Sequence, residues 1–156
     1  MASSKSKKTE LDLLMPMIRE KLEDGQNVTF TPSGVSMLPM LRPNRDTVTL
    51  SPLPEGRLKK YDLPLYRRDN GRYVLHRIVG VGETYTCLGD NHIGREPGVR
   101  HDQMIAVVTS FNRDGREIPV SALSYRIYCR FWYATRIVRR VWRAVRRRVR
   151  KLVGKR

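Results

Sequence analysis

A mainly antiparallel β body, preceded by a short helix and followed by a long basic one, is the fold class this sequence predicts. Three observations predict it. Short runs with two-residue alternation recur between Val28 and Phe111, punctuated by turn residues and with no helix-length pattern among them. Three- and four-residue spacing is confined to the two ends. Charge is segregated: no Asp or Glu follows Glu117, while residues 118–156 carry 13 of the 31 Lys and Arg.

The elements follow in order. Residues 1–8 are polar and basic and are expected to fray. From Thr9 to Asp24, Leu11, Leu14, Met15, Ile18 and Leu22 mark one face of an amphipathic helix, with Thr9 as N-cap and Gly25 as its stop. Pro16 falls inside the pattern and is expected to kink the helix or delay its start. Val28–Thr31 begins the strands and runs into a turn that holds Ser36. Arg45–Leu50 and Leu63–Arg67 follow, then Tyr73–Val81 across an Asn70-Gly71 turn, a strong hairpin signal. Tyr85–Leu88 and Met104–Phe111 complete the strands, and Asp114-Gly115 marks a further turn.

From about Ser121 the pattern is helical to the end. Ile127, Phe131, Ala134, Val138, Val141, Val145, Val149 and Leu152 fall on one face. Arg136, Arg139, Arg140, Arg143, Arg146, Arg147 and Arg150 fall on the other, with Trp132 and Trp142 near the stripe's edge. At ~1.5 Å per residue such a helix is roughly 40 Å long, and its upstream part, Tyr125 to Phe131, is the part expected to pack on the body. The chain thus divides into residues 1–25, a β domain over 26–120, and a basic helix over 121–156.

Composition narrows the function classes. The 40% hydrophobic content suits one globular domain. The net charge of +16 is a property of the tail, because the first 117 residues hold 18 bases against 15 acids. Cys87 and Cys129 stand far apart, outside metal-ligand spacing; they allow one disulfide but read better as two unrelated thiols. The basic start is followed by no apolar core of a secretory signal, and no window approaches the ~20 apolar residues of a bilayer span. A cytoplasmic or peripheral-membrane location is expected, and no cofactor or metal is implied.

The chemistry centres on Thr31–Leu41, T-P-S-G-V-S-M-L-P-M-L, where Ser36 stands between a glycine turn and an apolar run. A serine needs a base within hydrogen-bond reach to act as a nucleophile. Of the three histidines, His76 lies in the strand-like Y-V-L-H-R-I-V, facing opposite Leu75 and Arg77 by alternation. An imidazole there can take a serine proton and return it to a leaving amine. A carboxylate that orients the ring can come from Gly89-Asp90-Asn91 or from Glu96-Pro97.

Taken together, S-G-V-S-M-L-P-M-L, L-H-R-I-V and L-G-D-N with E-P six residues on resemble the superfamily of type I signal peptidases and self-cleaving repressors. The resemblance spans about Phe30 to Val108 in the family's order. His76-Arg77-Ile78 is similar to the histidine branch of endoplasmic-reticulum and archaeal type, whereas the other branches use lysine. The resemblance implies a signal-peptidase-like β fold, Ser36 as nucleophile, His76 as general base, and Asp90 or Glu96 as the supporting carboxylate. It implies a serine endopeptidase acting on an extended peptide or protein substrate. Gly34 stands where many signal peptidases carry an oxyanion-binding serine, so the oxyanion is expected to rely on backbone N–H groups, including that of Ser36.

The basic helix suits an anionic membrane surface, with its stripe at the headgroup boundary and its arginines at the phosphates. Nucleic acid is the competing partner for the same charges. Two rival functions stay open beside the peptidase. One is a repressor-type regulatory or self-cleaving protein whose tail contacts DNA; the other is a catalytically silent binding module.

Overall fold

The computed structural model describes residues 10–153. The basic residues 1–8 and the N-cap assigned to Thr9 lie outside the described residues. Helix α1 (Glu10–Glu23) runs through Pro16 and buries Met15, Ile18 and Leu22. Nine strands follow: β1 (Val28–Phe30), β2 (Thr47–Ser51), β3 (Pro64–Arg67), β4 (Tyr73–Leu75), β5 (Arg77–Val81), β6 (Tyr85–Leu88), β7 (Glu96–Val99), β8 (Met104–Arg113) and β9 (Arg116–Pro119). Two helices close the described chain, α2 (Leu123–Ala134) and α3 (Arg136–Val153).

The strands form two antiparallel sheets. One runs β1-β2-β8-β3-β4, with β9 paired to β8; the other runs β5-β6-β7. The long central strand β8 alternates buried and half-buried residues, as a strand with one face on a core must. The main core lies where this sheet meets α1 and α2, around Ile18, Val48, Leu50, Leu65, Ala106 and Val108. A second cluster, including Tyr66, Ile78, Tyr85 and Cys87, lies where the two sheets meet.

Three sequence expectations are corrected. The run Tyr73–Val81 is two strands, divided at His76 and assigned to different sheets. Leu75 to Val79 are all buried, so this crossing point has no solvent face and alternation along it carries no direction. Strand β7 carries no strand signal in the sequence, because Pro97 and Gly98 (φ 81°) break strand propensity; among the described residues it pairs with β6 alone, an edge position that tolerates both.

The third correction concerns the C-terminal helix, which is divided at Thr135 (φ −79°, ψ 2°) into segments of 12 and 18 residues. Backbone hydrogen bonds from Thr135 to Phe131 and from Arg139 to Thr135 carry the ladder across that point. On α2 the face that packs is aromatic: Tyr125 and Cys129 are buried, while Ile127 and Phe131 are exposed. Arg140, Arg143, Arg147, Arg150 and Leu152, assigned to faces from the sequence, have side chains outside the described ones. Cys87 and Cys129 are both free and buried, and among the described residues no helix is long and apolar enough to cross a membrane.

Candidate active site

Ser36 and His76 open into one groove. Its walls include Leu11 and Leu14 of α1, Phe30 of β1, Pro32 just after it, Met37, and Tyr73 of β4, enclosing a cavity of about 260 Å³. Strand β4 is an edge of the larger sheet, so among the described residues its outer hydrogen-bonding side faces no other strand.

The serine is held from behind. The backbone N–H of Asn91 donates to the Ser36 carbonyl oxygen at 2.8 Å, and the Asn91 side-chain amide donates to the Val35 carbonyl at 3.2 Å. Between serine and histidine stands Gly89, where a methyl group would lie 2.8 Å from the Ser36 carbonyl oxygen and 3.0 Å from His76 Nε2. Only a residue without Cβ allows that approach. Gly89 follows β6 directly, and Leu88 of β6 is in register with Arg77 of β5, which places the turn beside His76.

The carboxylates serve different partners. Glu96, in register with Cys87 across β6 and β7, faces the Nδ1 edge of His76 at 3.6 Å. Arg68 grips both its oxygens at 2.6 Å, and the Tyr66 hydroxyl donates to Oε2 at 2.8 Å. The Tyr66 oxygen is itself 3.4 Å from His76 Nδ1. Since Tyr66 spends its one proton on Glu96, an Nδ1–H of His76 serves that contact, leaving the Nε2 lone pair for the groove.

Asp90 points elsewhere. It accepts two hydrogen bonds from Arg77 at 2.9 and 2.8 Å, with both side chains almost fully buried. Tyr128 donates to the same carboxylate at 3.2 Å and Trp132 Nε1 to the Asp90 carbonyl at 2.9 Å, both from α2. Arg77 also donates to Tyr125 Oη and Cys129 Sγ, each at 2.8 Å. Of the two candidate supports, Glu96 is brought to the imidazole and Asp90 to the scaffold beneath the Ser36 loop.

The electrostatics favour a neutral ring. Burial, then the Arg68 guanidinium and the neighbouring His92, lower the His76 pKa from 6.5 to about 4 against the opposing pull of Glu96. Burial pushes the Glu96 carboxyl up, but Arg68 and Tyr66 outweigh it and hold the group below its ordinary value. At neutral pH the pair is a neutral imidazole beside a carboxylate. Nε2 can then accept a proton, and the cation that forms has a negative partner.

Three neighbours had no sequence signal. Tyr66 and Arg68 lie some 30 residues from Glu96, and only the meeting of two sheets joins them. His92 stacks edge-on against His76, with ring centroids 5.3 Å apart. Gly34 lines the groove as an open backbone position. Among the described residues no three His, Cys, Asp or Glu side chains gather as a metal site requires. The chain matches no family model, no curated protein and no solved structure.

Proposed function

We propose that this protein is a serine endopeptidase in which Ser36 is the nucleophile, His76 the general base, and Glu96 the carboxylate that steadies the imidazolium. The observation that carries the reading is the two-sided environment of His76. Its Nε2 edge and the Ser36 loop both close on Gly89 and line one open groove, while its Nδ1 edge faces Glu96 in the protein.

In the reaction, His76 Nε2 takes the Ser36 hydroxyl proton as Oγ bonds the scissile carbonyl carbon. The resulting oxyanion is stabilised by backbone N–H groups of the Ser36 turn. Collapse breaks the C–N bond, and His76 returns the proton to the departing amine. A water then gives a proton to His76 and attacks the acyl carbon, releasing the acid and restoring Ser36. An extended substrate pairs with the free edge of β4, bringing its backbone past both residues.

The test is cleavage of peptides and candidate protein substrates by the purified chain. Ser36→Ala should lower the rate by ~1,000-fold or more with unchanged thermal stability, and His76→Ala should lower it as much while also costing stability, because the buried ring leaves a cavity. Full activity in either variant rejects the mechanism. Co-expression of wild type and Ser36→Ala with proteins encoded nearby should reveal a substrate cut only by the wild type.

A further inference from the structure

Helix α2 is apolar on two sides. Its inner side, Tyr125, Tyr128, Cys129 and Trp132, is fixed to Arg77 and Asp90 as described above. Its outer side presents Leu123, Ile127 and Phe131 to solvent, and the same three- and four-residue steps continue through the bend into Val138, Val141, Val145 and Val149. These seven residues are 51–70% exposed. A helix that satisfies one apolar side and leaves a second, continuous one in water has a surface suited to a partner.

The charge on α3 selects among occupants. Its 18 residues contain eight arginines, one lysine and no acid. A second copy of the chain would set two such helices against each other, so self-association is opposed electrostatically. A nucleic-acid backbone would meet the arginines but leave the aliphatic stripe in water. An anionic bilayer meets both requirements, with acyl chains for the stripe and phosphates for the guanidinium groups. Exposed Arg146 lies on the polar half of α3, and Trp142 on the boundary, the depth at which an amphipathic ring is favoured. Arg148 falls on the apolar half, where its stem can lie along the surface while its charge rises to the phosphates.

We propose that the outward stripe of α2 and α3 docks this protein flat on an anionic lipid surface. The fastening of α2 makes the docking consequential. Trp132 bonds the Asp90 carbonyl while Arg139 of α3 stacks 3.3 Å over the Trp132 ring, so the docked surface is tied to the turn that positions Ser36. The docking itself stands apart from the peptidase reading and is measured without any cleavage assay.

The experiment uses the full chain with vesicles of phosphatidylcholine alone or containing about one-third phosphatidylglycerol. The protein should co-sediment with the anionic vesicles and shift its tryptophan emission to the blue, a shift lost in Trp142→Phe. Raising salt from ~0.1 M to ~0.5 M should weaken binding without abolishing it. V141D/V145D should reduce partitioning by about tenfold or more at unchanged melting temperature, since both valines are exposed. As a second variant that leaves the stripe intact, R146Q/R148Q should weaken anionic-vesicle binding by about tenfold. The proposal is overturned if anionic vesicles do not bind the wild type, or if V141D/V145D binds them equally well. It is also overturned if duplex DNA binds more tightly than the vesicles and does so independently of the stripe. Dimerisation through the stripe without lipid would overturn it too.

Discussion

Gly89 is closely approached by both Ser36 and His76: a methyl group at residue 89 would come within 2.8 Å of the Ser36 carbonyl oxygen and 3.0 Å of His76 Nε2. The first obstacle is backbone, which cannot rotate away, and the second is a buried ring. Gly89→Ala must therefore move the Ser36 loop, the imidazole or both. The expected result is a fall in kcat of ~100-fold, the scale of a 1 Å misplacement, with a stability loss of about 1–3 kcal/mol from overpacking. Parallel kinetics and thermal melts check both. Wild-type kcat in Gly89→Ala would show that Ser36 and His76 do not act together.

The environment of His76 predicts an unusual pH response. With its pKa near 4, the ring is neutral and competent as a base far below 6.5, so the acidic limb of kcat/KM should lie well under the ordinary histidine value. Stability follows the same group. Between 6.5 and about 4 the unfolded chain binds a proton that the folded chain refuses, so this contribution is complete above 6.5 and is lost as pH falls toward 4. Arg68 is the largest charged contributor to the depression, and it also shares Glu96 with the ring. Arg68→Met should move the acidic limb upward toward 6.5, whereas an unmoved limb would exclude His76 as the titrating base. A pH-rate series on the two proteins distinguishes the outcomes.

Asp90 and Glu96 should separate stability from catalysis. Removing the Asp90 charge strands Arg77, a fully buried guanidinium, and costs roughly 3–5 kcal/mol. Asp90→Asn should therefore lower the melting temperature by about 10 °C for a chain of this size. Replacing both partners, as in R77M/D90L, should recover much of that loss because no buried charge remains unpaired. Glu96 is half-buried, and so is the Arg68 that grips it. Glu96→Gln should melt within a few degrees of wild type while losing ~100-fold or more in kcat. A reversed pattern would exchange the two assignments.

What the sequence disclosed depended on how local the cause was. The β3–β4 hairpin was legible because Asn70 and Gly71 supply the turn themselves, with Gly71 at φ 83°. The order of Ser36, His76 and the Gly-Asp-Asn box was visible, but the division of labour between Asp90 and Glu96 was not. That division arises from β7, whose Pro97 and Gly98 conceal it, and from the meeting of Tyr66 and Arg68 with Glu96 across two sheets. The packed face of α2 escapes the aliphatic periodicity for a related reason. Periodicity counts aliphatic residues, whereas the packed face is chosen by Tyr125, Tyr128 and Trp132, whose polar atoms satisfy Arg77 and Asp90. A buried ion pair that needs hydroxyl and indole donors outweighs an aliphatic stripe that can find another partner.

Gly34 offers a gain-of-function test. It lines the groove two residues before Ser36, and a Cβ there meets no atom within 4 Å, so a side chain enters open space. In the proposed reaction a hydroxyl at this position can point toward the oxyanion at Ser36, adding a donor to the backbone N–H groups. Gly34→Ser should raise kcat by up to ~10-fold with little change in melting temperature. Gly34→Ala, which stiffens the unfolded chain equally but adds no donor, should leave kcat unchanged. The contrast between the two isolates hydrogen bonding from backbone entropy. Equal rates in the two variants would mean that the oxyanion forms elsewhere than beside residue 34, and would require a different substrate orientation in the groove.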